Sequence, residues 1–426
     1  MKSKLYLSML WVLLGLLVLM GLKGLFAKRM DLAGSNVILI TADSLRPDHL
    51  APYGYKENTT PNLDKLAGDS TMFYYCFAQS SHPDAALAGI FTASVPSMHG
   101  VLGGKRVFKD GGENSAAGNS FQLLDLKPLG PGKKTLAEGL SEIGYTTAGF
   151  TSSGFSTKEN GFSRGFNVFE DAACLWDSAK CVVGKADQWL SGSPKPPFFL
   201  WAQFTDLMDD FPAAKARHGL RPHIKQAFSS GDGADERAAV AARYDSKLAY
   251  LDGEIGRLLD RLKALGLYEG SLIVLAGVNG EELGEHGNYG NGTTVYNEQI
   301  HVPLIIKLPG NQYKKNIVET MVRQADVAPT ILEVAGGAAM SGVFGVSLVA
   351  DIQGIGADPM EVYSECRADG LDQAVLERKY KLIFHAKTGE KEFFNIEKDF
   401  REKKNTLKEK EMDADRLYKR IVERFH

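Results

Sequence analysis

The chain has 426 residues, of which 44% are apolar and 24% charged, and a formal net charge of −3. That length buries a large core or divides into two domains. The charge is near balance and leaves no basic footprint of the kind nucleic-acid binding requires, so no nucleic-acid partner is expected.

In chain order, the first element is apolar. Leu5 to Phe26 carries no charge except Lys23, and includes Ser8, Trp11 and several glycines. Roughly 20 apolar residues span a bilayer core. No small-x-small cleavage site follows, because a cut after Ala27 would place Leu25 three positions back. The expectation is an uncleaved membrane anchor over residues 1–29, in preference to a cleaved signal. Lys2 and Lys4 on one side balance Lys23, Lys28 and Arg29 on the other, so charge leaves the orientation open. A linker over residues 28–35 follows.

Asn36–Ala42 (NVILITA) and Ser271–Gly277 (SLIVLAG) are short unbroken apolar runs. Such runs predict strands buried on both faces of a largely parallel sheet. Thr135 opens TLAEGLSEIGY, a capping box with Glu138 three residues on and Gly144 as terminator. Tyr244, Leu248, Leu251, Ile255, Leu258, Leu259, Leu262 and Leu265 recur at helical spacing and predict a core-facing helix ended by Gly266. Residues 103–132 and 213–236 read as surface excursions. Cys174 and Cys181 flank LWDSAK, a spacing suited to a short disulfide loop in an oxidising compartment; the alternative is two unrelated buried thiols. Cys76 and Cys366 read as small buried hydrophobes. A break across residues 345–358 separates an α/β domain (30–350) from a C-terminal subdomain (351–426). The last segment, Lys408–His426, reads as a charged helix docked by Met412, Leu417, Ile421 and Val422. The fold class expected is α/β, with a central sheet flanked by helices.

Ligands in such sheets collect outside the carboxyl ends of the strands. The first strand delivers Asp43 there, and the second delivers Val278 and Asn279. The strings NVILITADSLRPDHLAPYGY, TPNLDKLA, FTASVPSMHG, SLIVLAGVNGEELGEHGNYG, VYNEQIHVPLIIKLPG, ADVAPTILEVAGG and KYKLIFHAKTGEKEFFNIEKDFREKKNTL follow in order. Together they resemble the sulfatase family of the alkaline-phosphatase superfamily. The resemblance implies an extracytoplasmic α/β domain. It also implies a hard dication held by carboxylates at two strand ends, a nucleophile in a C/S-x-P-x-R segment, and basic Lys and His groups.

Carried over residue by residue, the pattern is incomplete. Asp43 matches the first acidic ligand, but Ser44 stands where many relatives have a second Asp. Asp48 matches a frequent acid, with a local hydrogen-bonding role as the equal alternative. Val278 occupies the acidic ligand's place in the second pair; Asn279 retains a carbonyl oxygen. Glu281 and Glu282 are expected in a surface loop, with an inward reach by one of them as the alternative. In AQSSHPDAALAGIFTASVPSMHG, ungapped counting from Thr92 puts Pro83 at the nucleophile; anchoring on Pro83 as the motif proline puts Ser81 there and Ala85 at the arginine. Asp84 is a weaker acidic substitute. Met208 and Gln203 replace histidines, and Asn291 replaces a Lys or His. His99 and His286 match scaffold motifs, His301 replaces an arginine, and His82 is expected at the surface.

These substitutions fall on chemical positions while scaffold strings persist. They point to a membrane-anchored, extracytoplasmic (periplasmic or cell-surface) sulfatase-like pseudoenzyme with a binding or scaffolding role. No cofactor is expected; the alternative is weakly held Ca²⁺ or Mg²⁺ in an active hydrolase or transferase of sulfate or phosphate esters. The expected partners are the membrane and either a protein or an anionic ligand. Val278→Asp is expected to raise metal affinity.

Overall fold

The structure, a computed structural model, describes residues 32–103, 105–108, 121–124, 127–171, 174, 178–208, 236–356, 361–367 and 371–425. The expected anchor lies outside these residues. Among the described residues no helix is long and apolar enough to cross a membrane.

The strands in chain order are β1 (Val37–Ala42), β2 (Thr71–Phe77), β3 (Lys105–Phe108), β4 (Phe121–Leu124), β5 (Thr146–Thr151), β6 (Val168–Glu170), β7 (Phe198–Phe204) and β8 (Leu272–Gly277). They continue with β9 (Glu282–Leu283), β10 (Tyr289–Gly290), β11 (His301–Lys307), β12 (Asn316–Arg323), β13 (Val362–Cys366), β14 (Asp372–Glu377), β15 (Tyr380–His385) and β16 (Glu390–Asn395). The longer helices are α1 (Pro61–Gly68), α2 (Pro83–Thr92), α3 (Leu136–Glu142), α4 (Ser178–Ser191), α5 (Glu236–Ala264), α6 (Val327–Val334) and α7 (Glu411–Phe425).

Eight strands form the main sheet in the order β12-β2-β11-β8-β1-β7-β5-β6. All run parallel except β11, which is antiparallel to both neighbours. The two apolar runs are central, as expected, and every residue of β1 and β8 is buried. Their period-two alternation serves both faces. Val37, Leu39 and Val274 join α2, α3 and α6 in one core; Ile38, Ile40, Ile273 and Leu275 join α1, α4 and α5 in the other.

Thr135 caps α3 through the predicted box, with both reciprocal bonds to Glu138 present. The α5 stripe is buried from Tyr244 to Leu262, whereas Leu265 lies beyond the helix end and is exposed. Cys174 and Cys181 are joined as a disulfide, and Cys76 and Cys366 are buried thiols. Within the first expected excursion, β3 and β4 pair antiparallel. The second lies almost wholly outside the described residues.

Beyond the main sheet, β13–β16 form a four-stranded antiparallel meander. One face packs against Phe77 of β2, Met321 of β12 and Ile300, which directly precedes β11. The other carries α7 through Ala414, Leu417 and Ile421. Met412 and Val422, expected to dock, are exposed. The buried residues are spaced three and four apart, which defines one stripe, and the other two fall outside it. β13 also touches the segment after β2: the Glu365 N–H donates to the Gln79 carbonyl at 3.0 Å.

Candidate functional site

The register of the sheet fixes where its chemistry collects. Ala42 aligns with Gly277 and Phe204, and Thr151 aligns with Gln203. Residues just past these ends therefore share one edge: Asp43, Val278–Asn279, Thr205 and Ser152. β2 runs in the same direction, so Ala78–His82 reach that edge too.

Asp43 is fully buried, and its carboxylate accepts from the Gln203 amide at 3.0 Å. Ser44 has a φ of 57°, a left-handed conformation uncommon outside glycine. Three bonds hold it there. Its N–H donates to Asn279 Oδ1 (3.2 Å), its Oγ accepts from Asn291 Nδ2 (2.8 Å), and its carbonyl accepts from the Tyr244 hydroxyl (2.7 Å). Two of the substituted positions thus converge on a third. Asn279 also gives its Nδ2 to the Gly280 carbonyl at 2.8 Å.

Val278 is fully buried in the apolar cluster under α2 and α6. Its N–H donates to the Ala42 carbonyl (2.8 Å), and its carbonyl accepts from Gln324 Nε2 (2.7 Å). Position 278 therefore belongs to the core. A carboxylate placed there would be enclosed by apolar side chains.

Glu281 and Glu282 are also buried, which corrects the surface-loop expectation. Glu282 accepts from Gln299 Nε2 (2.6 Å) and the Thr294 hydroxyl (3.3 Å), and burial raises its pKa. Glu298 faces the same region, its pKa pushed up to about 7 by burial and by Glu402. Asp48 serves the local role: with Glu285 it pairs Arg46, at 2.7 Å in each case. Burial alone would lower the Arg46 pKa, but the two carboxylates hold it above its ordinary value.

Pro83 is the first residue of α2, and Ser81 lies two residues before it. Ser81 is fully buried, and its hydroxyl makes no hydrogen bond among the described residues. His82, expected at the surface, is buried instead. Its Nδ1 lies 2.5 Å from Asp84 Oδ1, which also accepts the Ala85 N–H at 2.6 Å. The ring fits because two neighbours are glycines. A Cβ on Gly103 or Gly292 would come within 2.8 or 2.9 Å of it. This contact lays the Asn291–Gly292 loop over the start of α2. Ala85 is fully buried in that helix and brings no charge. Met208 is buried, and its carbonyl accepts from buried Lys247 at 2.7 Å. Burial pushes the His99 pKa down to about 3 and that of His301 to about 4. His286 stacks on Tyr296 at 3.8 Å between the loop after β8 and the C-terminal subdomain.

A hydroxyl and amide cluster completes the edge. Thr151 and Ser156 both donate to Gln203 Oε1, at 2.9 and 2.5 Å, and Ser152 pairs with Thr205 at 3.1 Å. Sequence reading missed Thr151, Ser152 and Ser156. The signal was weak: TSSGFS follows TTAGF, which is too polar to read as an unbroken apolar strand.

A hard dication needs several oxygen donors, most of them charged. At this edge Asp43 supplies one carboxylate, already bonded to Gln203, and the Asn279 carbonyl is engaged by Ser44. Among the described residues no three His, Cys, Asp or Glu side chains converge in a metal-holding geometry. The donor set at the strand ends does not fit such an ion.

A central, mostly parallel sheet between helices, with an antiparallel C-terminal sheet and its polar groups at the strand ends, defines an α/β protein of the alkaline-phosphatase type. The sulfatase family model matches residues 35–338, and a model for the C-terminal part of N-sulphoglucosamine sulphohydrolase matches residues 284–425. The chain belongs to the sulfatase family. It is 23% identical to an arylsulfatase of Clostridium perfringens, covering 88% of this chain and 91% of that one. It is 27% identical to arylsulfatase A of Homo sapiens, covering 71% of this chain and 64% of the human one. Among solved structures, a 2-O GAG sulfatase matches with a TM-score of 0.71 at 19% identity, over 91% of both chains. The phosphonate monoester hydrolase of Agrobacterium radiobacter matches at 0.68 and 20%, over 91% of this chain and 94% of that one. At such identities the structural likeness concerns the fold alone.

Proposed function

We propose that this sulfatase-family chain is a membrane-anchored, extracytoplasmic protein that has given up ester hydrolysis for binding. The observation that carries this reading is the closure of the strand ends. Asn279 and Asn291 both bond to Ser44, and Val278 fills core. Donors that would serve a metal or a transferring group are spent on one another. Removing a single charge-stabilising donor commonly costs roughly 3 kcal/mol of transition-state stabilisation. Here Ala85, Asn291 and Val278 are neutral at once. An edge where hydroxyls and amides surround the Asp43 carboxylate suits a bound ligand, anionic or carried by a protein partner, better than turnover. The apolar segment Leu5–Phe26 supports the anchor, and the Cys174–Cys181 bond accords with an oxidising compartment.

A second reading is an active hydrolase or transferase with a rebuilt site. One observation favours it: the buried, unbonded Ser81 hydroxyl beside the His82–Asp84 pair. A panel of sulfate and phosphate esters, given to the purified full chain in detergent, separates the two. The binding reading expects no turnover above a Ser81→Ala control. Hydrolysis that this substitution abolishes would sink it and establish the second.

A further inference from the structure

The edge of the main sheet opposite the candidate site is the one at which its parallel strands begin. Four large apolar side chains are exposed there: Ile143 (39%), Leu265 (37%), Tyr313 (41%) and Ile317 (56%). They are far apart in sequence, but all lie where the chain enters strands along this edge. Ile143 directly follows the helix that leads into β5, and Leu265 directly follows the helix that leads into β8. Tyr313 sits between β11 and β12, and Ile317 is the second residue of β12. Because β11 alone is antiparallel, its last residue also lies on this amino edge.

Hydrogen bonds make the rim continuous. The Tyr145 hydroxyl donates to the Ser35 carbonyl (2.9 Å), and the Leu272 N–H to the Asn36 carbonyl (2.9 Å). The Gly310 N–H donates to the Glu269 carbonyl (2.7 Å), and the Thr71 hydroxyl to the Tyr313 carbonyl (3.0 Å). Lys314 and Lys315 follow Tyr313 and are exposed, as are Lys195 and Lys263. The acids on the same rim are Glu142, paired to Lys134, with Glu269, Asp260 and Asp69. The charge is mixed, so apolar contact is the main attraction the rim offers.

The tether decides what meets this rim. Leu32 already packs against the core, and Ala33 lies against Gly336. Only residues 27–31 separate Leu32 from the end of the apolar segment at Phe26. Six Cα–Cα steps span at most about 22 Å. Such a tether holds the amino edge, and no other face, close to the bilayer's headgroup layer. Lys28 and Arg29 lie within it.

We propose that the amino edge of the sheet is a lipid-docking rim. Ile143, Leu265, Tyr313 and Ile317 enter the interface, with Lys314 and Lys315 at headgroup level. The candidate site then faces away from the membrane, at least one strand length, about 20 Å, above it. This rests on the anchor proposed above, so the test must separate the two.

The full chain is reconstituted into phosphatidylcholine–phosphatidylglycerol liposomes. Ile143→Cys, Tyr313→Cys, Ile317→Cys and, as a distal control, Tyr289→Cys each carry an environment-sensitive fluorophore. The native thiols are buried or disulfide-bonded and stay unlabelled. The expected result is blue-shifted emission, quenched by spin-labelled lipid, at 143, 313 and 317 but not at 289. Alkaline carbonate extraction of the same vesicles tests the anchor alone. Protein that resists extraction while all four labels report water overturns the docking rim and leaves the anchor standing. Protein that washes off overturns the anchor and the rim with it.

Discussion

Val278→Asp gives the sharpest test of how the second strand end is built. Val278 is fully buried among apolar side chains, with both backbone groups already bonded to Ala42 and Gln324. The substitution forfeits roughly 1.5–2 kcal/mol of apolar burial. It also buries an unpaired carboxylate, at a cost of about 3–4 kcal/mol. The sum is about 5 kcal/mol. Unfolding entropy of roughly 2.1 cal/mol/K per residue over some 400 residues is about 0.8 kcal/mol/K, so Tm should fall by about 6 °C. The sign of the pH dependence follows. Burial raises this carboxyl's folded pKa above its unfolded value of about 3.9. The penalty is therefore complete above the folded pKa and fades as pH falls towards the unfolded one. Thermal unfolding followed by circular dichroism, with and without Ca²⁺, reads both effects. Val278→Ala should lose less and show no such pH dependence. An unchanged Tm at neutral pH, or a Tm in the variant that climbs with Ca²⁺, would refute the reasoning.

Other outcomes follow from the C-terminal subdomain and the disulfide. Lys381 is fully buried, 2.6 Å from Glu402 and 2.9 Å from Asn297 Oδ1. Lys381→Met should cost about 3–5 kcal/mol in a urea titration by stranding Glu402, and Glu402→Leu added to it should recover part of the loss. His385 lies between Asp372 and Glu392, whose hydrogen bonds raise its pKa to about 10 against burial. Its folded pKa exceeds the unfolded value of about 6.5, so its contribution is full below that pH and is lost as pH rises through about 10. His385→Gln should lower the urea midpoint at pH 6 and leave it little changed at pH 10; an equal loss at both would contradict the pairing. Reducing Cys174–Cys181, which are separated by 7 positions, should cost about 2–3 kcal/mol if loop closure dominates.

The strands were legible because β1 and β8 are unbroken apolar runs, and their ends located Asp43, Val278 and Asn279 without further information. The α3 cap was legible because a capping box is local. What failed was non-local. Ser44 and Asn279 are 235 positions apart, and Ser44 and Asn291 are 247 apart; no local pattern announces that two amides will lock one serine. Glu281 and Glu282 follow Gly280 and read as loop, but the segment through Glu298 and Gln299 covers them. A Cβ on Gly280 would meet the Glu298 carbonyl at 2.0 Å. His82 looked like a surface residue because the glycines that admit its ring lie 21 and 210 positions away. The sequence placed Val278 at a strand end, and its packing into the core beneath that end depends on α2 and α6, which no local pattern reveals.

The most direct measurement is calorimetric titration of the purified full chain with Ca²⁺ and with Mg²⁺, beside Asp43→Ala. Neither ion should bind saturably at millimolar concentration, and the two proteins should not differ. Stoichiometric binding that disappears in Asp43→Ala, together with ester hydrolysis lost in the same variant, would contradict the binding reading.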